Sequence, residues 1–337
     1  MNDLHSETET RPLVSILIPC YNEEKTLPGL LQAIYEQTYP RWRLEVIIAD
    51  GLSQDSSRAV IRDFQASHPD LTLKLIDNPK RIIPAALNLA VQAARGEILI
   101  RLDAHSRPYP DYVERCVEAL SRGAGDNVGG VWEIRPGGEG WIARAIAVAV
   151  AHPLGAGDAR YRLQGKAGEV DTVPFGAFHR TLIERIGLFD ETLLSNEDYE
   201  FNTRIRQNGG RIWLDPAIRS VYYARASLPA LFRQYARYGY WKWKMLRRYP
   251  RSLRWRQAVP PFFVITLLGG ALLSPFSPWI ARLWGAEMAL YFTVLLLASV
   301  HQAILRRDPL LVPGLMLTFP CIHLAWGGAF LWSTLHG

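Results

Sequence analysis

The stretch that decides the fold runs from Leu13 to Glu24 and reads LVSILIPCYNEE. Its first six residues, Leu13 to Ile18, are a short apolar run that predicts a buried strand. Thr26 to Gln37 follows with apolar residues at helical spacing, which predicts an amphipathic helix. A strand followed directly by such a helix is the repeating unit of a parallel α/β sheet.

The same unit recurs along the next eighty residues. Further strands are predicted at Leu44 to Ala49, Leu71 to Ile76 and Glu97 to Leu102, with helices ending near Phe64 and spanning Pro84 to Ala94. Strands that alternate with helices of about ten residues imply a mostly parallel sheet covered on both faces. We therefore expect an α/β fold.

Polar residues follow three of these strands. Tyr21, Asn22 and Glu23 come after the first strand, Asp50 after the second and Asp103 after the fourth. Ligands of such sheets bind at the carboxyl ends of the strands, which favours a shared binding site. Taken singly, each residue could instead serve turn chemistry, because Asp and Asn favour tight loops.

Two further patterns carry chemistry. Asp103 and His105 are two residues apart after a strand and could direct oxygen and imidazole toward one divalent ion, although an isolated His in this position is commonly a turn residue. Asn196 is a suitable N-cap for the predicted helix Tyr199 to Gln207, and Asp198 falls in its first turn. The helix dipole would keep the Asp198 carboxylate ionised and able to accept a proton. The alternative is that Asp198 only stabilises the helix end.

The C-terminal part contains three apolar stretches, namely Ala258 to Phe276, Met288 to Ile304 and Leu310 to Leu331. Each is long enough to cross a bilayer, and an apolar share of 49% suits a soluble domain joined to a membrane anchor. Prolines interrupt the first and third stretches, at positions 260, 261, 313 and 320. One stretch could therefore be re-entrant or interfacial, which leaves two crossings as an alternative to three.

The formal charge of +6 is concentrated just before the first span. The basic residues there are Arg233, Arg237, Lys242, Lys244, Arg247, Arg248, Arg251, Arg254 and Arg256. This position predicts contact with anionic lipid headgroups and no nucleic-acid partner. The connection after the first span carries only Arg282, whereas the next carries Arg306 and Arg307. The positive-inside rule then predicts a multi-pass inner (plasma) membrane protein with a cytoplasmic front half and an external C-terminus. Two crossings would return the C-terminus to the cytoplasm.

The chain resembles the family 2 glycosyltransferases, the inverting enzymes of the GT-A fold, over roughly Leu13 to Trp243. The resemblance rests on four motifs: Val14 to Glu23, Ile48 to Asp55, Arg101 to His105, and Gly187 to Glu191 followed by Asn196-Glu197-Asp198. Within the family, Arg101 to Pro110 together with the three spans looks most like the succinoglycan-type exopolysaccharide enzymes. We expect four parts: a polar tail over 1–12, a GT-A domain over 13–226, a basic interfacial helix segment over 227–256 and a membrane domain over 257–337.

The resemblance implies roles for individual residues. The donor nucleotide would be bound by Pro19, Tyr21, Asn22, Glu23, Asp50 and Asp103. Tyr21 and Asp50 would hold the nucleobase, Glu23 would lie near the ribose, and Asp103 would bind the ribose or the metal. His105 stands where most members have a second Asp, so Mn²⁺ or Mg²⁺ is expected with the preference open. Asp198, in the place of the family's Thr-Glu-Asp motif, would be the general base.

Gln234 to Tyr238 resembles the family's QxxRW motif, with Tyr238 in place of Trp. Glu197, Gln234, Arg237 and Tyr238 would contact the acceptor or the diphosphate. The helix predicted from Leu228 to Arg248 would lie on the membrane surface, so Arg237 could serve the anchor, a phosphate or both. Val173 to His179 is predicted as a strand in which Gly176 leaves room for the sugar.

These features predict transfer of a sugar, glucose by default, from a uridine diphosphate sugar to a polyprenyl-diphosphate-linked saccharide in exopolysaccharide synthesis. Other assembly enzymes are expected partners. The alternatives are a polyprenyl-phosphate sugar synthase, a processive polysaccharide synthase, and a non-catalytic nucleotide-binding adaptor.

Overall fold

The computed structural model describes residues 11–336, which form two compact units. The first unit contains the residues up to Glu133 together with Gln164–Tyr222, and the second contains Ile134–Leu163 and the chain from Tyr223 onward. The segment Ile134–Leu163 was expected within the catalytic domain. It groups with the second unit because its helix packs against the last helix of the chain. Residues 1–10 of the predicted polar tail lie outside the described residues.

The elements of the first unit follow the predicted alternation. Its strands, two of which end at the unit boundary, are β1 (Val14–Cys20), β2 (Leu44–Asp50), β3 (Thr72–Asp77), β4 (Ile98–Arg101), β5 (Arg107–Pro108), β6 (Asn127–Arg135), β7 (Gly168–Glu169), β8 (Ala177–His179) and β9 (Ile212–Tyr223). Its helices are α1 (Leu27–Tyr35), α2 (Ser57–Ser67), α3 (Ile83–Ala93), α4 (Tyr112–Ser121), α7 (Thr181–Ile186) and α8 (Glu197–Gln207). The predicted strands and helices up to β4 are present with ends shifted by a few residues.

The strands form one sheet in the order β3-β2-β1-β4-β8-β6-β9-β5, with β7 beside β9. The first four strands are parallel, and β8 pairs antiparallel with β4 and with β6. The predicted α/β fold is confirmed, with a sheet that is mixed because its second half is antiparallel. The register pairs Cys20 with Asp50 and Asp50 with Asp77, so these three strands end at one rim.

Apolar burial accounts for the parallel half. The residues of β1 and β2 are almost all inaccessible to solvent, as expected for strands that are covered on both faces. Leu27, Leu30, Leu31 and Ile34 on one side of α1 are fully buried in the same core. Burial of each such side chain stabilises the fold by about 1.5–3 kcal/mol. The packed core therefore holds in place the strand ends at which the site lies.

The second unit is helical. Its helices are α5 (Trp141–Val150), α6 (Pro153–Ala156), α9 (Leu228–Arg248), α10 (Trp255–Leu273), α11 (Pro278–Arg306) and α12 (Leu311–His336). The last helix, α12, packs against α5, α9, α10 and α11. Gly239 of α9 lets the two backbones approach closely, because a Cβ there would stand 2.1 Å from the carbonyl oxygen of Trp326. The predicted bounds of α9 are those of the structure.

Three helices in the described residues are long and apolar enough to cross a membrane. They span Trp255–Phe276, Pro278–Arg306 and Leu311–His336. Pro260, Pro261 and Pro320 lie inside helices that continue through them. The helices are therefore continuous through these prolines, and the choice between two and three crossings stays a prediction. Neighbouring helices can satisfy the backbone groups that proline leaves open.

Candidate active site

The loops after β1 and β2 are joined by reciprocal hydrogen bonds. The backbone N–H of Asn22 donates to Oγ of Ser53 over 2.8 Å, and the backbone N–H of Gln54 donates to Oδ1 of Asn22 over 2.8 Å. The backbone N–H of Glu23 donates to Oγ of Ser57 over 2.8 Å. Asn22 adopts a left-handed conformation with φ of 54°, which Asn tolerates better than most residues. The two loops therefore form a single rim.

Asp50 lies beneath this rim with its side chain fully buried. One oxygen accepts from Oγ of Ser53, and the other accepts from the Ser53 backbone at 3.0 Å and from Nη1 of Arg58 at 2.9 Å. Arg58 also bonds Asp77 over 2.8 Å, so it joins the ends of β2 and β3. These bonds cover the Asp50 carboxylate, so its expected direct contact with a nucleobase, which requires the cover to move, stays a prediction.

Tyr21 is the exposed aromatic of the rim, with 44% of its surface accessible. Its ring lies against Gly51, where a Cβ would stand 3.1 Å from Cδ2 of Tyr21. The missing side chain thus lets the Tyr21 ring lie along the end of β2. Pro19, two residues earlier, belongs to β1 and pairs with Ala49. An exposed ring fixed from below can stack with a flat ligand.

Glu23 connects the first rim loop to the loop after β4. Its Oε1 lies 3.3 Å from Nδ1 of His105, and its Oε2 accepts from the hydroxyl of Thr26 over 2.6 Å. Burial raises the pKa of Glu23, but the hydrogen bonds from His105 and Thr26 outweigh it and leave the pKa below its usual range. When Nδ1 of His105 donates to this carboxylate, Nε2 carries the lone pair.

Arg101, the last residue of β4, joins two carboxylates. Its Nε donates to Oδ1 of Asp103 over 3.0 Å, and its Nη2 donates to Oε1 of Glu197 over 2.9 Å. Burial raises the pKa of Asp103, but the charge of Arg101 outweighs it and lowers that pKa below its usual value. Burial raises the pKa of Glu197 above its usual value, and the neighbouring Asp198 adds to the rise although Arg101 opposes it.

Asp198 lies in the first turn of α8, which begins at Glu197, two residues before the predicted start. Its Oδ1 accepts from the backbone N–H of Tyr199 over 2.7 Å. Asn196 flanks the helix start as predicted, but its left-handed φ of 66° differs from the extended conformation of a usual N-cap. The charge of Asp198 acts on Arg101 together with those of Asp103 and Glu197. Two carboxylates, those of Asp103 and Glu197, are therefore hydrogen-bonded to one guanidinium, and Asp198 follows Glu197 directly in the chain.

Contacts in the first unit hold α8 in place. The hydroxyl of Tyr199 donates to Asp171 over 2.9 Å. Arg204 binds Glu200, one turn away, and donates to the carbonyl oxygen of Leu188 over 2.8 Å. Asn88 exchanges two hydrogen bonds with the backbone of Phe189, at 2.9 and 3.0 Å. The motif Gly187 to Glu191 thus supports the helix that carries Asp198.

The predicted strand Val173 to His179 is shorter than expected and runs from Ala177 to His179. The expectation that Gly176 leaves space for a sugar is wrong. A Cβ at Gly176 would lie 2.4 Å from Oδ1 of Asn127, so the amide of Asn127 fills that space. Asn127 in turn donates to Asn202 of α8 over 2.7 Å.

The structure brings together only some of the predicted site residues. Asp103 and Glu197 bond Arg101, Asp198 follows Glu197 at the start of α8, and Glu23 lies beside His105 in the loop after β4. Asp50 is buried beneath the rim formed by the loops after β1 and β2. Three predicted acceptor residues belong to α9 of the second unit, namely Gln234, Arg237 and Tyr238, and there Gln234 donates to the hydroxyl of Tyr238 over 3.0 Å.

Two residues that sequence reasoning gave no role are central to this arrangement. Arg58 holds Asp50, and Arg101 holds Asp103 and Glu197. Arg101 could have been noticed because it is a charged residue in an otherwise apolar strand. A buried charge is tolerated only when it is paired, so an arginine in this strand indicates a carboxylate partner nearby.

Comparisons with known proteins agree with the predicted family and fold. Residues 15–187 match the profile of the family described as Glycosyl transferase family 2. Succinoglycan biosynthesis protein ExoA of Rhizobium meliloti (strain 1021) is 32% identical over 327 residues, which cover 95% of this chain and 94% of ExoA.

A second relative comes from Methanococcus voltae and is described as dolichyl N-acetyl-alpha-D-glucosaminyl phosphate 3-beta-D-2,3-diacetamido-2,3-dideoxy-beta-D-glucuronosyltransferase. It is 28% identical over 92% of this chain and 94% of its own length. Among solved structures, mannosyltransferase PcManGT from Pyrobaculum calidifontis, in complex with GDP-Man and Mn²⁺, is similar with a TM-score of 0.67. The identity is 23%, and the match covers 96% of this chain and 88% of PcManGT. This likeness concerns the fold.

Proposed function

The chain belongs to glycosyl transferase family 2 and is a glycosyltransferase of the GT-A fold, and from this premise we propose that it transfers one sugar from a nucleotide sugar to a polyprenyl-diphosphate-linked saccharide. The observation that carries the proposal is that Arg101 bonds both Asp103 and Glu197, the residue directly before Asp198, in a chain that also has three helices of membrane-spanning length. A nucleotide-binding adaptor has no need of a proton acceptor at the start of α8.

We propose that the donor nucleotide lies along the rim formed by the loops after β1 and β2. The base stacks on Tyr21, which is exposed and supported by Gly51. Asn22 and Asp50 then act indirectly, because their hydrogen bonds with Ser53 fix the rim. Since Asp50 is covered, a base N–H reaches it only if the Ser53 loop moves.

A divalent cation fits the loop after β4 as an ion shared with substrate. In residues 11–336, no three His, Cys, Asp or Glu side chains are arranged to hold a metal ion. Asp103 and His105 supply two ligands, and a diphosphate can supply others, as is usual for Mg²⁺. Glu23 faces Nδ1 of His105, and a metal-binding imidazole commonly has such a carboxylate partner on its other nitrogen.

When bound there, the cation would neutralise charge on the departing nucleoside diphosphate. Imidazole together with carboxylate suits Mn²⁺ better than Mg²⁺. The residues that would hold it are Asp103 through carboxylate oxygen and His105 through Nε2.

We propose Asp198 as the general base. Its first-turn position on α8 places the carboxylate in the positive field of the helix N-terminus. The acceptor hydroxyl would give its proton to Asp198 while its oxygen attacks the anomeric carbon opposite the nucleotide. A single displacement inverts the anomeric configuration. An α-linked donor then gives a β-linked product.

The proposed acceptor class rests on the relatives and on the membrane helices. The methanogen relative is described as acting on a dolichyl-phosphate-linked sugar, and ExoA is described as a protein of succinoglycan biosynthesis. Both matches cover more than nine-tenths of this chain. We therefore propose a lipid-linked saccharide of exopolysaccharide synthesis as the acceptor. A uridine diphosphate sugar, carrying glucose, is the donor that we propose to test first.

We further propose that the enzyme lies in the inner membrane with its active site in the cytoplasm. The basic residues before α10 and those between α11 and α12 mark the cytoplasmic side. Arg144 of α5 donates to Asp308 over 2.8 Å, so α5 lies on the same side as the α11–α12 connection.

The test uses membranes that contain the protein and a panel of radiolabelled nucleotide sugars. Label from one donor should enter the lipid extract and should fail to do so in matched membranes without the protein. Equal transfer to free soluble glycans would remove the support for a lipid-linked acceptor. A polymer, or a single sugar on lipid phosphate, would favour the processive or polyprenyl-phosphate alternatives.

A further inference from the structure

Arg101 occupies a position where an arginine is costly. The other residues of β4 are apolar, and only 7% of Arg101 is exposed. A buried charge is tolerated when it is paired and hydrogen-bonded, and a well-packed apolar residue is often at least as stabilising. Stability alone therefore gives no reason for a guanidinium here.

The hydrogen bonds show what the guanidinium connects. Nε and Nη2 lie on one edge of the planar group, and each donates to a carboxylate from a different element. Asp103 follows β4 and Glu197 opens α8, so one rigid group joins the end of a strand to the start of a helix. Nη1 is buried and has no hydrogen-bond partner among the described residues.

Glu197 precedes Asp198 on the first turn of α8. Any shift of Glu197 therefore moves the carboxylate that we propose as the base. Asp103 accepts from Nε, on the same edge of the guanidinium, and lies in the loop that we propose holds the donor diphosphate. Arg101 thus links the donor and acceptor sides of the reaction.

We propose that Arg101 is a positioning residue for sugar transfer, which holds Asp103 and Glu197 in one arrangement and so sets the distance between the donor site and Asp198. This inference rests on the proposed function. Lysine cannot replace arginine in such a role, because an ammonium group is a point charge that lacks the fork needed to serve two separated carboxylates.

The first test compares Arg101→Lys with Glu197→Gln. Arg101→Lys disturbs the hydrogen bonds to both Asp103 and Glu197. The kcat should therefore fall by about 10–100-fold, and the affinity for UDP in the presence of Mn²⁺ should fall by roughly tenfold. Glu197→Gln disturbs only the hydrogen bond between Arg101 and the start of α8. Its kcat should fall by about tenfold, while UDP affinity stays within about twofold of the wild type.

The double variant tests whether the two residues act as one unit. Its kcat should be no lower than that of Arg101→Lys alone, because the link is already broken. Multiplied losses would mean that the two residues act independently and would overturn the proposal. The control is Arg180→Lys, a partly buried arginine that donates to the Gly96 carbonyl oxygen over 2.9 Å at the opposite end of β4.

The thermal midpoint and kcat per folded molecule separate a positioning role from a structural one. A merely structural Arg101 would lower the midpoint in the variant and leave kcat per folded molecule and UDP affinity unchanged, which would overturn the inference. If the wild type binds UDP but transfers no sugar, the proposed function fails. The UDP affinities of the variants then still decide whether Arg101 positions Asp103 and Glu197. If the wild type binds neither UDP nor GDP with Mn²⁺, both proposals are overturned.

Discussion

Arg101 donates a 2.9 Å hydrogen bond to Glu197 although the two residues lie 96 positions apart in the chain. One residue ends a strand of the parallel half of the sheet, and the other begins the helix that carries Asp198. The pair brings two separate motifs of the sequence into one group of charges. The following predictions test the parts of that group and the surroundings in which it operates.

Asp198→Asn should reduce kcat by about 10²–10⁴-fold, because the amide cannot accept the proton of the acceptor hydroxyl. UDP affinity measured by calorimetry should stay near that of the wild type, since Asp198 does not touch the rim that we propose for the donor. Asp63→Asn, at an exposed position of α2, is the matched control. Full activity of Asp198→Asn would exclude it as the base.

Tyr21→Ala should weaken nucleotide binding by about 1–2 kcal/mol, because a base would lose its stacking partner. The expected result is a donor KM raised by roughly tenfold with a smaller change in kcat. Tyr21→Phe keeps the ring and should bind donor almost as well as the wild type. A donor KM unchanged in Tyr21→Ala would place the base elsewhere.

His105→Asp should change the metal preference. A second carboxylate in place of imidazole favours Mg²⁺, so the ratio of Mg²⁺-supported to Mn²⁺-supported activity should rise by on the order of tenfold. Electron spin resonance should also show tight Mn²⁺ binding to the wild type only when UDP is present. His179→Asp, at an exposed histidine of β8, serves as the control. An unchanged ratio in His105→Asp would contradict metal ligation by His105.

Glu45 should make stability depend on pH. Burial raises the pKa of Glu45, but its hydrogen bonds from Ser15 and Arg95 outweigh burial, so the pKa lies below its usual value. A lowered folded pKa stabilises the protein above the unfolded pKa of about 4.3, and this contribution disappears as pH falls through the folded pKa.

Glu45→Gln should therefore lower the free energy of unfolding by about 2 kcal/mol at neutral pH, with the difference from the wild type shrinking below about pH 5. Thermal unfolding in detergent across this pH range checks it. The exposed Glu36→Gln should show no difference at any pH. A constant gap between Glu45→Gln and the wild type would refute the linkage.

Alkaline phosphatase fused after the C-terminus should be active in intact cells, because three crossings place that end outside. A fusion after Arg307 should be inactive, since that connection is expected in the cytoplasm. The reverse pattern, or an inactive C-terminal fusion, would mean that the orientation or the number of crossings differs from the proposal.

The sequence predicts the parallel half of the sheet well because β1, β2 and their helices are long enough to show periodic burial. It predicts α9 to the residue because Pro229 near its start and a basic last turn mark its ends. The antiparallel half could not be anticipated in the same way. The strands β5, β7 and β8 have two or three residues each, too few for any periodicity.

The site was predicted less completely than the fold. Residues at strand ends can be recognised one by one, as Asp103 shows, but their partners depend on tertiary contacts. Nothing in the sequence indicates that Ser53 and Arg58 cover Asp50, or that Asn127 fills the space beside Gly176. A glycine in a strand is compatible with either a ligand or a neighbouring side chain.

The most direct test of the central claim is product analysis by mass spectrometry and NMR, with purified enzyme, one accepted nucleotide sugar and a defined polyprenyl-diphosphate saccharide. The proposal predicts that the lipid-linked saccharide gains one sugar residue, with the anomeric configuration inverted relative to the donor. A product with retained configuration, or a sugar found only on lipid phosphate, would contradict it.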